Sequence, residues 1–248
     1  MDFIIREAKQ DDYKGSFMKS IDLNDDQLMQ IQASTLYVLD ETGRMIRINE
    51  PGETDSPTLF IGKTRNSMHT YISDRLPEAI AEELNDHIKS SINIVKLCEI
   101  IGKYSAVKNV WIGPAYAYLH STPPPMEDEQ VMVINENNAH MLSRHFDHLT
   151  LKLTEHLPIV GYVWEGQVVS LCCSARISDR ATEASLSTVE DFRGRGLATK
   201  VTAQWICEVL KQGRIPLYST SWDNLNSQRV AQKLGLHPYG MDFNITVE

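Results

Sequence analysis

The run from Thr182 to Gly213 restricts this chain more than any other stretch, because it joins a strand, a glycine turn and an amphipathic helix in close succession. Ala184 to Val189 is built of small and β-branched residues, the composition of a short strand, and Glu190 to Phe192 connects it onward. Leu197, Val201, Trp205 and Val209 then recur every four residues, with Ala198, Ile206 and Leu210 beside them, so a helix is expected over Leu197 to Gln212. Gly213 stands where a left-handed cap would end it. Between strand and helix lies Arg193-Gly194-Arg195-Gly196. Two glycines flanking one residue let the backbone turn its N–H groups inward, and the first N–H groups of the following helix have no partner of their own. With two arginines nearby, the unit is an anion cradle suited to phosphate.

The kind of phosphate site narrows by exclusion. A Walker loop needs Lys-Ser/Thr directly after its last glycine, where this chain has Leu197-Ala198, so Lys200 is misplaced. A dinucleotide fingerprint needs a third Gly or Ala three residues beyond Gly196, and Thr199 is there instead. What remains is Arg193-x-x-Gly196-x-Ala198, with Val189 four residues before it. This resembles the pyrophosphate-binding motif R/Q-x-x-G-x-G/A of the GNAT superfamily of acyl-CoA-dependent N-acetyltransferases. Taken alone, the six residues also fit a charged turn capping a surface helix. Downstream, Arg214 to Thr220 reads as the next parallel strand and Leu225 to Leu234 as a second helix, capped by Asp223-Asn224 and stopped at Gly235. The segment from Asn224 to Leu236 resembles the family's N-x-x-[AS]-x-x-x-x-x-K-x-G-[FL], with Ser227, Lys233 and Gly235 in place. In that family the fourth and fifth strands splay apart for the pantetheine arm, and Pro216, which lacks a donor, fits such a splay.

The resemblance implies acetyl-CoA as co-substrate and assigns its contacts. Ser187, Thr188 and Val189 would line the pantetheine, with the backbone N–H groups of Ser187 and Val189 polarising the acyl carbonyl and binding the arm. Arg193, Gly194, Arg195, Gly196, Leu197, Ala198 and Thr199 would hold the diphosphate, Asn224 would lie near the pantetheine, and Ser227 would face the cofactor. Glu183, at the head of the strand, matches a glutamate base of several family members; the same position is also where a surface strand-end carboxylate would sit. The family's tyrosine acid is replaced by Ala231. The nearest hydroxyls are Tyr218, Ser219 and Tyr239, of which Tyr239 is assigned, with water as the alternative. The implied reaction is acetyl transfer from acetyl-CoA to a primary amine of a small molecule or peptide, by direct attack in a ternary complex. Ala231 and the two readings of Glu183 keep open a non-catalytic acyl-CoA sensor or scaffold.

The expected fold class is α/β with a mixed sheet: a GNAT acyl-CoA N-acyltransferase fold over residues 124–248, preceded by a smaller α/β domain over residues 1–123. The boundary rests on Ser121-Thr-Pro-Pro-Pro125 and the acidic run after it, which favour an extended, solvated backbone. Before it, helices are expected over Asp22 to Ser34, from Leu76-Pro77 through Ile88, and over Ile92 to Ile101. Strands are expected over Leu36 to Leu39, Met45 to Ile48, Leu59 to Ile61 and Val110 to Ile112. This alternation reads as a degenerate GNAT copy or an unrelated α/β cap. After the boundary come a strand at Val131 to Ile134, a helix over Asn137 to His148, a hairpin of Pro158 to Trp164 with Gln167 to Arg176, and a last strand at Met241 to Val247.

Composition sets limits on partners. Twenty-four basic against thirty-three acidic residues give a net charge of −9, the wrong sign for a nucleic-acid binder, so Arg193 and Arg195 read as a local clamp. Met1 to Tyr13 shows no basic, apolar leader and no apolar run reaches membrane-spanning length, so no membrane partner is implied and a cytoplasmic protein is expected. Cys98, Cys172, Cys173 and Cys207 have no C-x-x-C spacing and read as core thiols. His140, His145, His148 and His156 lack the companions of a zinc motif, so no metal is expected. The motifs fix no oligomeric state and are compatible with a homodimer.

Overall fold

Alternation along the central strands decides which side of the sheet each helix covers. The computed structural model describes residues 23–52, 55–90, 92–125 and 127–248, so the reading of Met1 to Tyr13 lies outside it. In chain order it contains α1 (Asp25–Leu36), β1 (Tyr37–Leu39), β2 (Met45–Ile48), β3 (Leu59–Lys63), β4 (Met68–Ile72), α2 (Glu78–Ser90), α3 (Ile94–Ile101), β5 (Val107–Ala117) and β6 (Val131–Ile134). Then follow β7 (Ile159–Trp164), β8 (Gln167–Ile177), β9 (Ala181–Thr188), α4 (Leu197–Lys211), β10 (Ile215–Ser219), α5 (Leu225–Lys233) and β11 (His237–Val247). The expected α/β class with a mixed sheet is what forms.

β1 and β2 make a small hairpin, and nine strands form one sheet in the order β4-β3-β11-β5-β10-β9-β8-β7-β6. Within this sheet, among the described residues, β9 and β10 pair in parallel and the other neighbours are antiparallel. β5 precedes the proline run, yet it lies between β10 and β11, which follow it, so hydrogen bonding is continuous across residue 124. A fragment of residues 124–248 would expose the facing edges of β10 and β11. It is expected to be insoluble where the whole chain is soluble, as measured by expression and sedimentation.

Ile112, Tyr116 and Tyr118 point to one face, where α2 and α3 cover one end of the sheet and α4 and α5 the other. Ala115 and Ala117 point to the opposite face and pack with Leu28, Met29 and Ile31 of α1. The α1 helix begins at Asn24, whose side chain accepts from the Gln27 N–H while the Gln27 side chain accepts from the Asn24 N–H. That reciprocal cap starts the helix after the expected Asp22, a residue outside those described. Gly113 has no room for a side chain, since a Cβ there would lie 1.8 Å from the Thr220 carbonyl oxygen. Gly113→Ala is therefore expected to destabilise the fold by about 3 kcal/mol, measured by denaturant unfolding.

Two expectations need correction. No helix forms over Asn137 to His148; short 3₁₀ turns occupy Ala139–Leu142, Asp147–Leu149 and Leu153–His156. The asparagines explain it: Asn138 accepts from the Asn135 N–H and donates to the Val133 carbonyl, and Asn135 accepts from the Asn137 N–H. Such local bonds compete with helix formation. The strand β4 was not anticipated, because only Ile72 of its residues is buried and its edge position needs little apolar patterning. The hairpin of β7 and β8 closes at Glu165-Gly166 as expected, both residues at positive φ.

Candidate active site

β9 and β10 pair through Ile215 with Ala181, Pro216 with Thr182 and Leu217 with Glu183, and then part. Beyond that point β9 stays with β8 and β10 stays with β5, leaving an open cleft between two strands of one sheet. Pro216 does not cause the parting. It lies within the paired stretch, and its carbonyl accepts from the Tyr118 N–H, so its missing donor faces the β5 side.

The amides lining the cleft are displaced by one residue from those expected. The Val189 N–H donates to the Val169 carbonyl at 2.9 Å, so it is used within the sheet. Alternation along an antiparallel ladder turns the Ser187 N–H to β8 as well, opposite Leu171. The amides of Leu186 and Thr188 face the cleft instead, and the Thr188 carbonyl on that side accepts from Arg193 Nε at 3.1 Å. The motif locates Val189 but carries no information on strand parity, which is what turns the Leu186 amide to the cleft.

After β9 the backbone makes a 3₁₀ turn, Glu190–Phe192, and reaches Gly194 and Gly196, both at φ +78°. Gly196 begins α4 with no side chain capping the helix, and the amides of Gly194, Arg195 and Gly196 have no hydrogen-bond partner among the described residues. The N–H groups of Leu197, Ala198 and Thr199 form the first helical turn and have no carbonyl four residues back within the helix. Arg195 donates to the Asp191 carbonyl at 2.8 Å and lies 4.9 Å over the Phe192 ring, which meets Trp164 at 6.4 Å. Each arginine thus braces the turn with one N–H and keeps others free for an anion. At the neighbouring helix Asn224 caps α5, accepting from the Ser227 N–H at 3.1 Å, so only its amide NH₂ is left for a ligand. Ser227 Oγ bonds the Tyr218 hydroxyl on the same helical face.

The opposite face, under α1, holds the ionisable groups. Glu183 is 3% exposed, which rules out the surface-carboxylate reading. Its Oε1 accepts from the Ser219 N–H at 2.9 Å and the Ser219 hydroxyl at 2.7 Å, while Oε2 has no partner among the described residues. Burial pushes the carboxyl above the usual range, partly offset by the Ser219 hydroxyl and the Arg176 charge. Tyr239 is 1% exposed in the core beside Leu28 and Met29, its hydroxyl unpartnered. Burial, then the Glu183 and Asp242 charges, hold its proton well above the normal tyrosine range. Tyr218, the other phenol considered, is on the α4 and α5 face.

A cleft of about 330 Å³ opens on this face, lined by Tyr37, Trp111, Arg176, Ser219, Asp242 and Asn244 among others. Gln32 and Asp242 were not anticipated. Gln32 Nε2 donates to Asp242 Oδ2, both side chains are buried, and Gln32 Oε1 and Asp242 Oδ1 have no partner among the described residues. The available signal was Asp242 between Met241 and Phe243, a carboxyl inside an apolar strand. Burial and then the Glu183 charge push the Asp242 carboxyl well above the aspartate range. A carboxyl raised in the folded state contributes stability below about pH 4 and loses it as pH climbs through the folded value. Asp242→Asn is expected to lessen the loss of stability between acidic and alkaline pH, as read by urea midpoints.

No set of three or more His, Cys, Asp or Glu side chains is grouped to hold a metal among the described residues. None of the helices, among the described residues, is long and apolar enough to cross a membrane.

Residues 160–240, from β7 into β11, match the family model for GNAT acetyltransferases. The segment that carries the glycine turn is thus similar to GNAT acetyltransferases, a family that carries out acyl transfer in general. No curated protein matches the sequence. Among solved structures, a Drosophila protein shares 10% identity and a TM-score of 0.50 over 90% of this chain and 88% of its own, so the shared fold extends well before residue 124. A putative GNAT-family acetyltransferase from Novosphingobium aromaticivorans is 16% identical over 58% of this chain and 68% of its own, at a TM-score of 0.46. A GCN5-related N-acetyltransferase-like protein from Streptococcus suis is 18% identical over 77% and 84%, at 0.45.

Proposed function

We propose that the protein transfers an acetyl group from acetyl-CoA to a primary amine of a small molecule or peptide, by direct attack in a ternary complex. The observation that carries this is the placement of two unlike sites on either side of one parted strand pair. The unpartnered amides at Gly194 to Gly196 open on the α4 side, and the buried Glu183 carboxyl lies on the α1 side.

The residues fit the coenzyme. The amides of Gly194, Arg195 and Gly196 and the first turn of α4 would hold the diphosphate, with Arg193 and Arg195 adding charge. The Leu186 and Thr188 amides would bond the arm as it passes between β9 and β10. When bound, acetyl-CoA supplies a thioester carbonyl. Glu183 Oε2 takes one proton from the acceptor ammonium, giving a free amine whose lone pair forms the C–N bond as the C–S bond breaks. A second nitrogen proton passes to the departing sulfur, and the third stays on the amide. A thiol has a pKa of about 8.5, so this last transfer can run through water near neutrality. Tyr239, the assigned acid, shares the Glu183 face with the Ser219 and Tyr37 hydroxyls, and its burial and raised pKa make it a weak donor to the sulfur. The acceptor is the partner this charge balance suits, rather than a nucleic acid or a membrane.

A sensor that binds acyl-CoA without turnover is favoured by one feature: Ala231 is fully buried, and the nearby Tyr218 hydroxyl is already bonded to Ser227. Thiol release from acetyl-CoA over a panel of amines separates the two. Release that depends on the amine supports transfer; coenzyme binding with no release from any amine sinks it.

A further inference from the structure

Polar atoms buried without partners are few in a folded protein, and several here gather on the α1 face. Gln32 Oε1, Glu183 Oε2 and Asp242 Oδ1 are all buried and lack a partner among the described residues, as do two donors of the same group, the Tyr239 hydroxyl and Arg176 Nε, while the other oxygen of each carboxyl is already bonded. Gln32 and Asp242 bond each other, and Asp242 lines the same cleft as Ser219, the residue that holds Glu183. Leaving such acceptors empty is unfavourable, so a donor-rich group is the natural occupant.

We propose that Gln32 and Asp242 complete, with Glu183, an acceptor pocket for a primary ammonium group, one unpartnered oxygen being available to each of its three N–H donors. The chemistry rests on the acyl-transfer reading above; the pocket itself rests on the three oxygens. The groups facing Asp242 are Gln32 from α1, Tyr37 from β1, Arg176 from β8, Glu183 from β9 and Tyr239 from β11. Arg176 is the only cation of that set, and it is paired with Glu50 at 3.1 Å. Burial favours the neutral form of both carboxyls, so a cation bound between them is the counter-charge that would let them ionise. Glu183, held by Ser219, removes the proton; Gln32 and Asp242 orient the nitrogen and are specificity residues. A secondary ammonium offers only two N–H donors and leaves one buried oxygen unpaired, so the pocket selects against it.

The test uses the full chain and Asp242→Asn, a substitution that keeps shape and can still bond Gln32. Steady-state rates are measured with acetyl-CoA and either ethylamine or N-methylethylamine, coenzyme A affinity is measured by calorimetry, and the ¹³C resonance of the Asp242 carboxyl is followed as ethylammonium chloride is added. The expected result is a rise of about tenfold in the KM for ethylamine, coenzyme affinity within about twofold of wild type, and a reduced preference for the primary amine. The Asp242 resonance should move in the wild type. If coenzyme A binds and amines turn over, but neither the KM nor the resonance responds, the pocket is overturned and acyl transfer survives. If coenzyme A binds and no amine reacts, yet the resonance moves, the pocket stands and acyl transfer falls. If coenzyme A does not bind and the resonance is still, both fall.

Discussion

Replacing Glu183 with glutamine is expected to lower kcat for amine acetylation by about 10²- to 10⁴-fold, the range a positioned general base contributes. Glutamine keeps the oxygen that accepts from the Ser219 N–H and hydroxyl, so the local hydrogen bonding can persist. What it removes is the site for the ammonium proton. Coenzyme affinity should stay unchanged, because the glycine turn leads into α4, which packs on one face of the sheet, while Glu183 shares the α1 face with Ala181. A second signature follows from burial. Since the Glu183 carboxyl is pushed above the ordinary glutamate range, the acid limb of kcat/KM should lie above that range in the wild type, and it should vanish in the variant. An unchanged rate with the acid limb intact would remove Glu183 from the mechanism. A lost rate with weakened coenzyme binding would mark it as a structural group.

The strand, glycine turn and helix around Arg193 to Gly196 could be read from the sequence because their signals are local. Four-residue apolar spacing, paired glycines and an asparagine cap act over a few residues, and α4 and α5 form almost as expected. The buried polar groups under α1 could not be read in the same way. Gln32, Glu183 and Asp242 come from α1, β9 and β11, and the hydrogen bond joining Gln32 to Asp242 spans most of the chain. That β11 lies near β9 at all depends on β5 lying between β10 and β11, a pairing that no local pattern announces. Strand parity also eluded the motif. A resemblance locates a strand to within a residue, but a shift of one exchanges the amides of Ser187 and Val189 for those of Leu186 and Thr188. The expected helix over Asn137 to His148 failed for the converse reason, since asparagine side chains offered the backbone closer partners than a helix would.

Gly196→Val is expected to weaken coenzyme A binding at least about 100-fold while leaving the fold in place. Gly196 sits at φ +78°, a conformation that disfavours a β-branched residue by roughly 1–2 kcal/mol. A Cβ there meets nothing within 4 Å, so no protein atom resists the side chain, and the helix behind it loses no contact. The damage falls on the turn. Relaxing the strain rotates the Gly196 and Leu197 amides out of the inward set, and the isopropyl group fills the approach that a diphosphate needs. Gly213→Val separates strain from site. Gly213 has φ +73° and equally open surroundings, but it ends the same helix, away from the turn. Both variants should lose similar stability in thermal melts, while calorimetry should show loss of coenzyme binding in Gly196→Val alone. Equal affinities in the two would mean that the diphosphate docks elsewhere, whatever Glu183 proves to do.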